Sequence, residues 1–243
     1  MAGDTRPAYY ALKSGGWRDY LTLLHPPYTL WHLSYVAIGA AVSPRVSTAR
    51  LLATLVAFFL GVGLSAHALD ELTGRPLGTR IPNAVLIAIA GAGLAGAVTL
   101  GILGAVEVSW WLLAFVAFGS FILLAYNLEL AGGRFHTDVW FALSWGAFPA
   151  LTSSFAQAGR LQWQAVLVAA ACFFLSVAQR RLSTPVRRLR RSVAALEGRM
   201  VLRDGTEVPL DEAALRVTPE AALRALAAAM VLLGAGLITA RLL

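Results

Sequence analysis

Sulfur and charge are scarce in this chain. A single cysteine, Cys172, stands among 243 residues. No disulfide framework within one chain is possible, and no zinc-ligand pattern appears. Charged residues make up 14%, against about 25% in a soluble globular domain. From Leu51 to Leu69 there is no charge at all, and from Gln157 to Leu196 no carboxylate. The chain also lacks an internal repeat of clear period and a low-complexity linker. The first apolar run, starting near Tyr28, is not followed by a small-residue cleavage site, so no removable signal peptide is expected.

What is present is apolar. Hydrophobic residues reach 58%, aromatics 10%, and there are seven tryptophans; the mean hydropathy is +0.68. This balance fits a polytopic membrane protein with interfacial aromatic belts. The formal charge of +7 comes from basic residues in loops between apolar segments. Anionic membrane lipids explain them, and no nucleic-acid partner is expected. Seven apolar segments are expected near 29–44, 50–69, 83–105, 109–128, 138–157, 162–179 and 219–241. A span needs about 20 residues, so the first and sixth are short. The glycines and alanines of the third suit close helix packing in lipid.

Together these features predict an all-α fold: one domain over residues 1–243, a polytopic helical bundle of about seven transmembrane helices. The amphipathic Trp17–Leu24 stretch is expected to lie at the interface before the first span. Lys13, Arg6, Arg18, Arg75, Arg80, Arg134 and the basic run 180–216 fall on one side of the bundle; Arg45, Arg50, Arg160 and Arg241 fall on the other. The positive-inside rule then places the N-terminus in the cytoplasm. The richness in Ala, Arg, Leu and Gly points to a bacterial plasma membrane. One excursion, 180–218, leaves the bundle. Thr184-Pro185 predicts a new helix ending at Gly198, and Asp204-Gly205 predicts a hairpin turn. Thr218-Pro219 predicts the start of the last span. A basic anchor on anionic lipid accounts for this excursion, and a protein partner is the other reading.

Three clusters on the cytoplasmic side carry the candidate chemistry. In the stretch AHALDELTGRPLGT, His67, Asp70 and Glu71 share a helix face at the end of an apolar run. Acidic groups at membrane depth are functional candidates, and one imidazole with two carboxylates suits a single Mg2+ completed by phosphate. The bland alternative is a wetted helix end, with Asp70 and Glu71 paired to Arg75 or Arg80. The second cluster is Tyr126, Asn127, Glu129, Arg134, His136 and Asp138, around the pair Gly132-Gly133; a solvated loop is its alternative. The Tyr126 ring face suits a carbocation or an interface anchor. The third is Ser176, Gln179, Arg180 and Arg181, whose alternative is positive-inside anchoring. Together the clusters suit one polar cavity for an amphiphile with an anionic head and an apolar tail.

Three stretches resemble the UbiA superfamily of intramembrane prenyltransferases. LTLLHPPYTLWHLSYVAIGAAVS is similar to the family's first span. HALDELTGRPLGTRIP resembles its first Asp-rich motif, which runs on to Arg-Pro-Leu. YNLELAGGRFHTDVWFALSWGAFPALTSSFA resembles its fourth loop and fifth span. The likeness covers most of residues 20–180. It implies a helical bundle around a central cavity, in which magnesium bound by two Asp-rich motifs holds a prenyl diphosphate that ionises to an allylic cation. Here His67 takes the Asn position of the first motif, the acids are compressed to Asp70-Glu71, and Gly74-Arg75 stands at the third acidic position. SVAQRRLSTP occupies the place of the second motif with no carboxylate, and the span count is seven where the family has nine.

The expectation is therefore a divergent UbiA-like transferase. It would move a prenyl or related lipid-linked group from a diphosphate donor to an acceptor at the cytoplasmic face. Asp70 and Glu71 would be catalytic, His67, Asp70 and Glu71 would hold one Mg2+, and Arg75, Arg134, Arg180 and Arg181 would hold the diphosphate. Tyr126, Asn127, His136 and Asp138 would complete the substrate site. The alternative is a non-catalytic lipid-binding or assembly subunit on the same bundle. A small transporter is disfavoured because no pair of broken helices occurs in related halves.

Overall fold

The computed structural model describes residues 6–243; the first five residues of the mixed N-terminal stretch lie outside them. The described chain is helical apart from one hairpin. Helix α1 is Trp17–Leu23 and α2 is Pro26–Ala41. Helix α3 runs Thr48–Leu72, with a π-helical stretch at Phe59–Ala66. Helices α4 (Asn83–Glu107) and α5 (Leu112–Asn127) follow, and α6 is the single turn Leu130–Gly133. Helix α7 covers 138–158 and has its own π-helical stretch, Ala142–Ala147. Helix α8 is Trp163–Ser192, strands β1 (Arg199–Val201) and β2 (Glu207–Pro209) form the hairpin, and α9 is Glu212–Leu242.

Every expected apolar segment falls on a helix. Four helices, α3, α4, α8 and α9, are long and apolar enough to cross a membrane. Helices α2 and α5 have 16 residues each, about 24 Å at the usual rise and short of a 30 Å hydrocarbon core. Helix α2 is the hub. It packs on α9, α7 and α3, while α8 lies against α7 and α9, and α4 lies against α3 and α5. Trp31 and Tyr35 of α2 are completely buried, with the indole N–H donating to the Tyr35 hydroxyl at 2.5 Å.

Small residues set the closest approaches, as expected in lipid. A Cβ on Gly39 of α2 would run into the backbone of Ala150 in α7. A Cβ on Gly146 would stand 2.6 Å from both the Cys172 carbonyl and the Ser176 hydroxyl of α8. Both obstacles include backbone, so the helices must separate to admit a side chain. Gly146→Val is expected to lower stability by about 1–3 kcal/mol, the usual cost of overpacking. A lower midpoint on thermal unfolding in detergent checks it, with Gly91→Ala as control, since nothing lies within 4 Å of a Cβ there.

Both proline-based helix starts are corrected. Helix α8 continues through Pro185 to Ser192, with no new helix to Gly198. Its buried residues Cys172, Ser176, Gln179, Ser183 and Val186 recur at alternating spacings of four and three. One continuous inner face thus carries the helix past the missing proline amide. The last helix likewise begins at Glu212, before Thr218-Pro219, because Asp211 caps it by accepting from the Ala214 amide at 2.8 Å. The hairpin forms as read. Met200 pairs with Val208, Gly205 takes φ +84°, and the Asp204 carboxylate accepts from the Thr206 amide at 2.9 Å.

Candidate functional site

Two cavities lie side by side in the bundle. One, of about 310 Å3, is polar; it is walled by the ends of α2, α3, α5, α7 and α8 and by Tyr10 of the N-terminal segment. The other, of about 400 Å3, is apolar and lies among α3, α4, α5 and α7, against side chains such as Phe58, Leu94, Phe115 and Phe148. Val62 and Trp145 line both. Each belongs to a π-helical stretch, the irregularity that often marks functional positions in helices.

The polar cavity gathers residues from all three sequence clusters. His67, Asp70, Tyr126, Asn127, Glu129, His136, Gln179 and Arg180 line it. The His67 ring donates Nδ1–H to the Gly63 carbonyl at 3.2 Å, which leaves Nε2 as the ring's lone-pair nitrogen. The Asp70 carboxylate makes no hydrogen bond or ion pair among the described residues, and Arg187 and Arg191 line the same cavity. Tyr126 stacks on His136 with ring centroids 4.3 Å apart, and the His136 ring bonds the Tyr126 carbonyl at 3.1 Å. Arg180 donates to Asp138 at 3.0 Å and lies over the Phe141 ring. Asp138 thus positions Arg180 from behind the cavity wall, and Arg181 reaches the same carboxylate only from the exposed side.

Glu71, Arg75 and Arg134 are placed elsewhere. Glu71 is completely buried beneath the loop that follows α3. Its carboxylate accepts from the Leu77 amide, the Thr79 amide and the Thr79 hydroxyl at 2.8–2.9 Å. Arg75, at φ +52°, braces that loop by donating to the Thr79 and Ile81 carbonyls and to Asn83. Neither acid pairs with Arg75 or Arg80; the Arg80 amide instead donates to buried Asp19 of α1 at 2.9 Å. Arg134 is exposed on its loop.

This arrangement decides the fit to a metal. Both Glu71 oxygens are engaged by the loop, so His67, Asp70 and Glu71 do not converge as three ligands. Among the described residues no group of three His, Cys, Asp or Glu side chains is placed to hold a metal ion. The donor set does not fit the magnesium site that the family resemblance implies.

Sequence reasoning missed half of the cavity wall. His25, Tyr28 and His32 come from the start of α2, and Arg187 and Arg191 from the continuation of α8. Arg180, Ser183, Arg187 and Arg191 follow one another at three- and four-residue spacing, so they share one face. That signal was visible in the sequence, but the Thr184-Pro185 step hid it. His25 stacks on His67 with centroids 4.1 Å apart and planes 16° apart. It holds a left-handed backbone, φ 46° and ψ 56°, which is uncommon for a residue with a side chain.

The Tyr10 hydroxyl lies 2.7 Å from His25 Nδ1. Burial pushes the Tyr10 phenol well above its ordinary value, so it keeps its proton, and Nδ1 is the one partner it has to donate to among the described residues. Burial, then the His67, Arg191 and Arg187 charges, hold the His25 imidazole well below its ordinary value. It is therefore neutral, with its proton on Nε2.

Three buried polar atoms of this wall have no hydrogen-bond partner among the described residues: His25 Nε2, the Tyr126 hydroxyl and Gln179 Oε1. Buried polar atoms are rarely left so, and here they share a cavity with three guanidinium groups. No family model matches the chain, and no curated protein or solved structure matches it.

Proposed function

We propose that this chain is a divergent UbiA-like transferase of a bacterial plasma membrane. It crosses the membrane several times with its N-terminus in the cytoplasm. Its reaction moves a prenyl or related lipid-linked group from a diphosphate donor to an acceptor at the cytoplasmic face. The observation that carries this reading is the polar cavity lying against the apolar one, with Val62 and Trp145 in the wall between them. An anionic head suits the arginine-rich side, and an apolar tail of at least part of a prenyl chain suits the other.

The roles follow from the chemistry of the walls. Arg180, Arg187 and Arg191 face the leaving diphosphate, where negative charge develops as the carbon–oxygen bond breaks. The Tyr126 and Trp145 rings stand near the shared wall and offer π-faces to a cationic carbon. Asp70, a carboxylate without a protein partner, is positioned to take the proton that an acceptor loses.

The test is transfer of label from radiolabelled prenyl diphosphates to a bacterial lipid extract by the full-length protein in liposomes. Product is expected, and Asp70→Asn is expected to reduce it 10²- to 10⁴-fold, the range of general acid–base contributions, with an unchanged thermal midpoint. The second reading, a non-catalytic lipid-binding subunit, is favoured by the metal-ligand set that does not converge. Donor binding without turnover at any chain length would establish it in place of the transferase.

A further inference from the structure

Helix α8 turns from apolar to basic without losing its inner face. Where the resemblance leads one to expect a second acidic motif, that face presents Arg180, Arg187 and Arg191 to the polar cavity. Arg180 is committed to Asp138. Arg187 and Arg191 are not committed to any carboxylate: among the described residues Arg187 donates only to the Thr184 hydroxyl, at 3.3 Å, and Arg191 to the Pro7 carbonyl, at 3.2 Å. On the same cavity wall His25 presents an N–H that nothing accepts among the described residues. It is nine-tenths buried, its other nitrogen is occupied by Tyr10, and its backbone is held in the left-handed region. Strain of that kind persists where the surroundings enforce it. On the same cavity the Tyr126 hydroxyl is a further donor with no partner among the described residues.

The same wall also carries the Asp70 and Glu129 carboxylates and Gln179 Oε1. Glu129 lies beside His136, however, and the three guanidinium groups outnumber the one carboxylate left without an ion pair. The natural complement of the basic side is therefore an anion with several acceptor oxygens. Planar guanidinium groups match phosphate oxygens in pairs. Deepening the transferase reading and resting on it for the nature of the tail, we infer that His25 Nε2–H, Arg187 and Arg191 hold the diphosphate group directly, taking the place of a divalent cation. Arg191 has a second consequence. Its bond to Pro7 ties the N-terminal segment carrying Tyr10 to the same helix face, so the anion site and its cover share one residue.

The experiment measures binding rather than turnover. Full-length protein in phosphatidylcholine nanodiscs is titrated calorimetrically with geranylgeranyl diphosphate, inorganic pyrophosphate and geranylgeraniol, each in EDTA and in magnesium. The diphosphates are expected to bind with the same Kd in both buffers, and the alcohol to bind at least tenfold more weakly. Arg187→Gln and Arg191→Gln are each expected to weaken diphosphate binding about 10- to 100-fold, the loss of a charge-assisted hydrogen bond. His25→Asn, which tolerates left-handed backbone but removes the distal N–H, is expected to weaken it about tenfold.

A lipid diphosphate that binds more tightly than pyrophosphate assigns the site to a lipid headgroup; equal affinities assign it to a free anion. Both support the direct hold. Binding that disappears in EDTA would overturn it, as would unchanged Kd in arginine variants whose thermal midpoints match the parent. Failure of the transferase reading looks different: metal-independent, arginine-dependent binding persists while no label is transferred.

Discussion

Glu71→Ala is expected to destabilise the protein by about 3 kcal/mol or more. The Glu71 carboxylate is completely buried and accepts three hydrogen bonds from Leu77 and Thr79. Bonds to a charged group are worth about 1.5–3 kcal/mol each, and a buried donor left without its acceptor costs about 1–3 kcal/mol. Simple addition overshoots, because the loop can open and let water reach the freed amides. Glu71→Gln should fall between the parent and Glu71→Ala. Its single amide oxygen can still accept from Thr79, but its NH2 group then faces the Leu77 N–H. Asp70→Asn, one residue away, should change stability little, since that carboxylate has no protein partner to lose. Unfolding in mixed detergent micelles measures all three. The same series separates a loop-supporting Glu71 from a metal ligand. The loop role expects no effect of magnesium on the midpoint, whereas a rise with magnesium that Glu71→Ala abolishes would return Glu71 to a metal site.

The contrast between Asp70 and Glu71 shows where sequence reading reaches its limit. Helical spacing correctly places His67 and Asp70 on the cavity. Glu71 is only one position further, about 100° round the helix. Its orientation is decided by the Gly74–Thr79 loop, which folds back over it with Gly74 and Arg75 at positive φ. No local rule predicts that return, because it depends on six residues closing onto one buried charge.

The same applies to His25. In the sequence it precedes two prolines and has no identifiable partner; in the fold it stacks on His67, 42 positions away, and accepts from Tyr10. The apolar segments, the α1 helix and the Asp204-Gly205 turn were legible, because hydropathy and turn chemistry act over a few residues. The continuation of α8 past Pro185 was hidden because a local proline signal opposes a tertiary preference, and the buried stripe from Cys172 to Val186 prevails. Seven apolar segments do not make seven full-length spans, because α2 and α5 are only 16 residues long.

Glu220→Ala is expected to cost about 3 kcal/mol and to loosen the cover of the polar cavity. Glu220 of α9 is buried, with its side chain 6% exposed, and it meets Arg190 of α8, whose side chain is 1% exposed. The contact is two-pronged: Arg190 Nε donates to one oxygen at 2.5 Å and its terminal nitrogen to the other at 3.1 Å. Arg216 donates to the second oxygen at 3.0 Å. Removing one member of a buried ion pair costs about 3–5 kcal/mol, because the partner charge loses its compensation while staying out of water. The lower end applies here, since Arg216 keeps Glu212 at 3.0 Å. Replacing both partners, Arg190→Met with Glu220→Leu, should cost less than Glu220→Ala alone, because Arg190 is then not left as an uncompensated buried charge and Arg216 keeps Glu212. Arg190 also donates to the Arg6 carbonyl at 3.0 Å, beside the Arg191–Pro7 bond. The helix end that Glu220 fixes is thus the end that holds the segment carrying Tyr10. Hydrogen exchange in residues 6–12 should accelerate in Glu220→Ala, where the α8 end is loosened, and also in the double variant despite its smaller loss of stability, since replacing Arg190 removes its bond to the Arg6 carbonyl. Unchanged exchange in both would show that the N-terminal segment is held by its tyrosine contacts, with no contribution from α8.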